Sequence, residues 1–298
     1  MKRSMKEHTF KTPFQFKEVP KVETVQQNVT EKRKKQSPFA NAIPFVLHLK
    51  TVTKKGIILI IFFSVWEIVS KFGIVDETFL PPFSQIIYTW WELAASGELI
   101  AHFQASITRS IIGFSLALAI AIPLGLLIGW YPLARDLLNP LLELFRNTAA
   151  LALLPVFILI LGIGEISKIA IILFACTWPV LLNTISAVKN VDPLLIKSAR
   201  SMNISSFKLF YKVILPASAP TIFTGIRMAG TGALLVLIAA EMVGAKEGLG
   251  YYITYTQYNF LISEMYAGIL TISVLGLIIN QALLSIERRL SKWKQPIQ

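Results

Sequence analysis

The chain has 298 residues, of which 54% are hydrophobic and only 15% charged, with a mean hydropathy of +0.60. A soluble domain usually carries charge on about a quarter of its residues, so this much apolar content excludes a single water-soluble core. The net charge of +12 accompanies apolar runs, so it points to a membrane surface and not to nucleic acid.

The N-terminal 55 residues are polar and basic, with a Lys32-Arg33-Lys34-Lys35 cluster. They lack the apolar core of a secretory leader and are expected to form a largely disordered segment. The apolar runs then follow in order. The first expected span is Gly56–Phe72, with Glu67 near its far end. A polar stretch with Asp76 and Glu77 leads to an amphipathic piece, Ser84–Ala95, whose Trp90 and Trp91 suit an interfacial belt. The second span, about Ile107–Tyr131, carries Pro123 and a Gly125-xxx-Gly129 spacing suited to close helix packing in lipid. A short turn, Leu133–Asn139, precedes a third span from Pro140 to Gly162. Gly162-Ile163-Gly164-Glu165 turns into the fourth, Ile166–Val188, with Trp178-Pro179 near its middle. The fifth is roughly Pro220–Gly244 and the sixth Met265–Ile286. A Tyr-rich connection, 245–264, separates them. Runs of this length and composition cross a hydrocarbon layer, so the fold class is all-α, a polytopic membrane protein of about six spans. Cys176 reads as a small core residue.

Lys and Arg gather at one set of loops: the N-terminal segment, Arg135, the stretch from Lys189 to Lys212, and the C-terminal Arg288, Arg289, Lys292 and Lys294. The other loops hold Asp76, Glu77, Glu92, Glu98, Glu165, Glu247 and Glu264. The positive-inside rule then places both termini in the cytoplasm. No internal repeat is visible, which disfavours secondary transporters built from inverted halves.

The loop 189–216 carries the most information. Asp192-Pro193 is a helix start, an acidic N-cap followed by Pro at the first helical position. A helix from Pro193 to Met202 would bring Leu195, Ala199 and Met202 near one face, and Asn203 sits where a left-handed cap would end it. A second helix starting at Ser205 or Ser206 would end at Leu215-Pro216. The product is a cytoplasmic helix-turn-helix with a basic rim, suited to lying on the membrane or to docking into a soluble partner.

This stretch resembles the coupling loop of binding-protein-dependent ABC permeases. Their signature is Glu-Ala-Ala, three residues, Gly, nine residues and then a short apolar run ending Leu-Pro. Lys197-Ser198-Ala199 takes the Glu-Ala-Ala place, Asn203 the Gly place and Leu215-Pro216 the closing pair. Lys197 reverses a charge and Asn203 replaces Gly. Phe79–Gln85, Leu161–Glu165, Pro179–Thr184, Gly225–Ala229, Ala239–Met242 and Gly248–Tyr251 are similar to the branch that moves nitrate, sulfonates, taurine and bicarbonate. The resemblance covers about 56–290, leaving 291–298 as a cytoplasmic tail.

The resemblance implies a type I ABC importer permease fold in a prokaryotic-type inner membrane. It implies a second copy of this chain, cytoplasmic ABC ATPase subunits that hold ATP and Mg, and an external substrate-binding protein. No phosphate-loop sequence is present, so the chain itself is expected to need no cofactor, hold no metal and contain no catalytic residue. Coupling to the ATPase is expected through Leu195, Lys197, Ser198, Ala199, Arg200, Ser201, Met202 and Asn203. Ionisable and polar groups inside spans are costly in lipid and mark functional positions. Glu241, Arg227, Arg146, Asn147, Thr148 and Asn183 are therefore the candidates for the pathway or its gate. Arg146-Asn147-Thr148-Ala149-Ala150 departs from the Pro-rich stretch usual in the branch. Small anions lead as substrates, with a vitamin precursor such as a thiamine-type pyrimidine as the alternative. An autonomous channel or secondary transporter would not need the docking loop, and a membrane-embedded enzyme finds no His pair among His8, His48 and His102.

Overall fold

The computed structural model describes residues 42–290, with side-chain surroundings from Gly56 to Arg289. The Lys32–Lys35 cluster and the tail 291–298 lie outside the described residues. Among the described residues the chain is helical, with no strand. It divides into two units, 1–65 and 66–298.

Helix α1 covers Ala42–Lys71, so it starts inside the segment expected to precede the spans. Its residues Ile57–Phe62 are solvent-exposed and apolar. In the second unit follow α2 (Phe83–Ser96), α3 (Glu98–Trp130), α4 (Pro132–Arg146), a 3-10 turn (Ala150–Leu153) and α5 (Leu154–Leu161). Then come α6 (Glu165–Lys189), α7 (Pro193–Ser201), α8 (Ser206–Leu209), a π-helical turn (Phe210–Ile214), α9 (Leu215–Glu241), α10 (Leu249–Tyr258) and α11 (Ile262–Leu290).

Four described helical stretches are long and apolar enough to cross a membrane: Glu98–Trp130, Glu165–Lys189, Ser206–Glu241 and Ile262–Arg289. The pair Pro132–Arg146 and Ala150–Leu161 adds a fifth if read as one broken span, bent by 83°. The first expected span lies in α1, whose described side chains begin only at Gly56.

The third span differs most from expectation. The expected turn at Leu133–Asn139 is helical, because Pro132 occupies the first helical position, where its missing N–H costs nothing. The break falls at 147–149 instead. There Thr148 Oγ1 and Asn147 Nδ2 donate to the last carbonyls of α4, Leu144 O at 3.0 Å and Glu143 O at 2.8 Å. The Thr148 hydroxyl satisfies a carbonyl the helix end would leave orphaned, while Glu143 O also accepts the Asn147 backbone N–H at 3.3 Å.

Helices α3, α6 and α9 form the centre. Ala117, Ala121 and Ile128 of α3 meet Ile172, Cys176, Val180, Leu181 and Ile185 of α6, and Ala229, Ala233 and Leu237 of α9. Cys176 is the small buried residue expected. The Gly125–Gly129 spacing works as predicted. A Cβ at Gly125 would stand 2.6 Å from Thr184 Cβ, and one at Gly129 2.8 Å from Val188 Cβ. Only a missing side chain allows α3 and α6 to lie this close. Outward residues such as Leu127, Leu159, Leu277 and Ile278 are exposed apolar side chains, as a lipid-facing surface requires.

The expected amphipathic piece is α2, where Trp90 Nε1 donates to Thr271 Oγ1 at 2.9 Å. Between α1 and α2, Asp76 receives hydrogen bonds from the Thr78 side chain and backbone, which hold its carboxyl below the usual range. The Tyr-rich connection contains a ten-residue helix, α10, that its sequence pattern does not reveal.

Candidate functional sites: a helical loop, a polar cavity and a buried ion-pair cluster

The loop between α6 and α9 forms as its capping residues dictate. Asp192 Oδ1 accepts from the Leu194 N–H at 2.8 Å, and Asn203 ends α7 in the left-handed region at φ 54. Lys197, Ser198, Arg200, Ser201 and Asn203 are exposed, and so are Leu195 and Met202. Ala199, expected on that face, is buried at 6%. It packs with Val188, Val191, Leu209 and Ile214 as part of the loop's own core. The outward surface is therefore Leu194, Leu195, Met202 and Phe207, the last 80% exposed.

The second loop helix does not stop at Leu215-Pro216. It continues through the π-helical turn into α9, so Ser206–Glu241 runs as one helical stretch. Pro216 can donate no backbone hydrogen bond, and the wider turn just before it carries the chain past this gap.

A cavity of about 510 Å³ lies against the broken span, bounded by α4 and the 3-10 turn, α6 and α9. Arg146, Thr148, Trp178, Asn183, Met228 and Gly232 are among its lining residues, and none of those lining residues is acidic. Among the described residues the ion-pair partner of Arg146 is Glu143, at 3.8 Å with both side chains largely exposed, so its charge is little compensated. Asn183 Nδ2 donates to Pro179 O at 2.8 Å. Trp178 stacks on Phe145 at 5.0 Å and 12°, which ties α6 to the end of α4. Of the six pathway candidates, the cavity gathers Arg146, Thr148 and Asn183. Asn147 is exposed beside them. Arg227 is paired with Glu287 of α11 at 3.0 Å, and Glu241 is elsewhere.

Glu241 sits at the other end of α9, fully buried, in a cluster that includes residues not singled out from the sequence. Arg109 of α3 donates through Nη1 to Glu241 Oε1 and to Glu247 O, each at 2.7 Å. It also donates through Nη2 to Glu165 Oε1 at 2.7 Å, and through Nε to Glu165 Oε2. Ser106 Oγ lies 2.8 Å from Glu241 Oε2, and it accepts from the Leu249 N–H at 2.8 Å. The Gly250 N–H donates to Glu241 Oε2 at 3.0 Å. Lys168 Nζ donates to Gly164 O at 2.9 Å.

Three helices and the α9–α10 connection thus converge on one guanidinium. Two glycines permit it. At Gly248, φ is 119 and a Cβ would fall 2.4 Å from the Glu241 carboxyl; at Gly250 a Cβ would fall 2.4 Å from Ile238 O. Arg109 escapes the sequence reading because it falls at the boundary of the apolar run. The available signal is charge balance: Arg109 and Lys168 against Glu165 and Glu241, at the ends of three spans.

Comparison with known proteins agrees with this architecture. The sequence matches the family described as "Binding-protein-dependent transport system inner membrane component" over residues 121–292. A putative aliphatic sulfonates transport permease protein of Bacillus subtilis is 35% identical over 80% of this chain and 87% of its own. The taurine transport system permease protein of Escherichia coli is 31% identical over 80% of this chain and 89% of its own. The bicarbonate transport system permease protein of Synechocystis is 29% identical over 76% and 84%. Among solved structures, an inward-facing MetNI methionine ABC transporter shares the fold, with a TM-score of 0.56 at 19% identity. That match covers 63% of this chain and 93% of the other. The chain belongs to the family of binding-protein-dependent transport system inner membrane components, and it is a multi-pass permease subunit of an ABC importer.

Proposed function

We propose that this permease carries a small anion across the inner membrane through the cavity at the broken span. The reading is carried by Arg146, whose charge is offset only by a solvent-exposed pairing with Glu143, in a cavity with Thr148 and Asn183 and no acidic lining residue. An arginine stays protonated at any working pH, so the cavity attracts anions and repels cations. The sulfonate, taurine and bicarbonate permeases among its relatives support the same substrate class.

Two copies of the chain would form the route, with both termini in the cytoplasm. ATP and Mg would be held by separate ATPase subunits, and an external binding protein would deliver the substrate. The exposed Leu194, Leu195, Met202 and Phe207 would dock on the ATPase, with Lys197, Ser198, Arg200, Ser201 and Asn203 at the rim. The single helical stretch from Ser206 to Glu241 would carry displacement of the loop to the cavity wall at Met228 and Gly232. Glu241, held by Arg109, would position the far end of that stretch and would not touch substrate.

The test is ATP-driven taurine and ethanesulfonate uptake by the assembled complex in proteoliposomes. Arg146→Ala should lower uptake by at least tenfold while the ATPase still co-purifies, and Arg146→Lys should restore part of it. Unchanged uptake in Arg146→Ala would remove the cavity from the route.

A further inference from the structure

We propose that Gly232 sets the size of the anion the cavity admits. The inference rests on the cavity being the translocation route. A glycine inside a helix is destabilising relative to alanine, so each needs a reason to be there. Helix α9 has three. At Gly225 a Cβ would stand 2.6 Å from Asn183 Cβ, and at Gly230 2.6 Å from Leu283 Cδ1. Those two let α9 approach α6 and α11.

Gly232 has no such reason within this chain. Among the described residues, no atom beyond its chain neighbours and its own helix backbone lies within 4 Å of where its Cβ would stand, and its backbone is ordinary helix. What it faces is the cavity. Met228, Gly232 and Val236 are spaced four apart, share one face of α9 and all line the cavity. That face is a long side chain, a gap and a branched side chain. Arg146 approaches from the broken span and supplies the charge that holds an anionic head. The gap at 232, bordered by Met228, Val236 and Leu182, offers apolar room for the remainder of the molecule. A side chain at 232 would fill that room without displacing the helix, so it would shorten the tail the cavity tolerates and spare the head.

The experiment compares wild type with Gly232→Ala, Gly232→Val and Gly232→Leu in the assembled complex. It measures uptake of methanesulfonate, butanesulfonate and hexanesulfonate, with Arg146→Ala alongside. The ratio of hexanesulfonate to methanesulfonate uptake should fall stepwise, by at least tenfold at valine or leucine, while the ATPase co-purifies as in wild type. Equal loss at every chain length overturns the proposal. So does an unchanged ratio through leucine: with Arg146→Ala inactive, only the size reading fails, and with Arg146→Ala also silent the route itself fails. Loss of the assembled complex at valine would mean that Gly232 packs against a neighbouring subunit, which also overturns it. A second readout needs no transported substrate. Gly232→Cys, in a Cys176→Ala background, should react with anionic methanethiosulfonates at least tenfold faster for an ethyl than for a hexyl tail; equal rates overturn the proposal.

Discussion

Replacing Arg109 with alanine should be among the most damaging single substitutions in this protein. Its guanidinium bonds Glu241, Glu165 and Glu247 O at once, and its own side chain is only 5% exposed. Its removal leaves the Glu241 carboxylate, with no exposed surface, without the cation that bonds it. Stripping one partner from a buried ion pair costs about 3–5 kcal/mol. The Ser106 and Gly250 hydrogen bonds to Glu241 remain and place the expected cost near the lower end of that range. For a domain of this size, 1 kcal/mol moves the unfolding midpoint by roughly 2–4 °C, so Arg109→Ala should lower it by about 10 °C. The Glu165 side chain is 60% exposed, and an ion pair open to solvent contributes at most about 1 kcal/mol. Glu165→Gln should therefore shift the midpoint by no more than about 4 °C. Thermal unfolding of detergent-purified permease measures both. Arg109→Leu combined with Glu241→Leu should recover much of the loss, because a buried pair replaced by apolar groups is often neutral. The reasoning fails if Arg109→Ala unfolds at the wild-type temperature, or if Glu165→Gln costs as much as Arg109→Ala.

Two other substitutions separate docking from folding. Met202→Asp places a charge on a residue that is 73% exposed and should abolish ATPase co-purification with little change in the unfolding midpoint. Ala199→Asp buries an unpaired charge among Val188, Leu209 and Ile214 and should lower the midpoint itself; the opposite pattern would mean that α7 presents its other face. Gly125→Ala forces a Cβ to within 2.6 Å of Thr184 Cβ. It should cost about 1–3 kcal/mol by overpacking, read as a lower midpoint, and a stabilised variant would show that α3 and α6 have room to separate.

Local rules written in the chain were enough for much of this molecule. Asp192-Pro193 starts α7 and Asn203 ends it because capping is decided by a few neighbouring residues. The long apolar runs give α3, α6, α9 and α11 because lipid offers no partner for unpaired backbone groups. The Gly125–Gly129 spacing announces a close helix contact, though not which helix fills it. Tertiary structure decided the rest. Ala199 fits a docking face by spacing alone, yet it turns inward because Val188 and Leu209 wait there from other elements. Arg146, Thr148 and Asn183 become one site only where the broken span is bent against α6. Arg109, Glu165 and Glu241 lie 56 and 132 residues from one another along the pairs they form, and no local pattern links such distant charges. A single buried charge reads as a cost in sequence; only the fold shows the partners that compensate it.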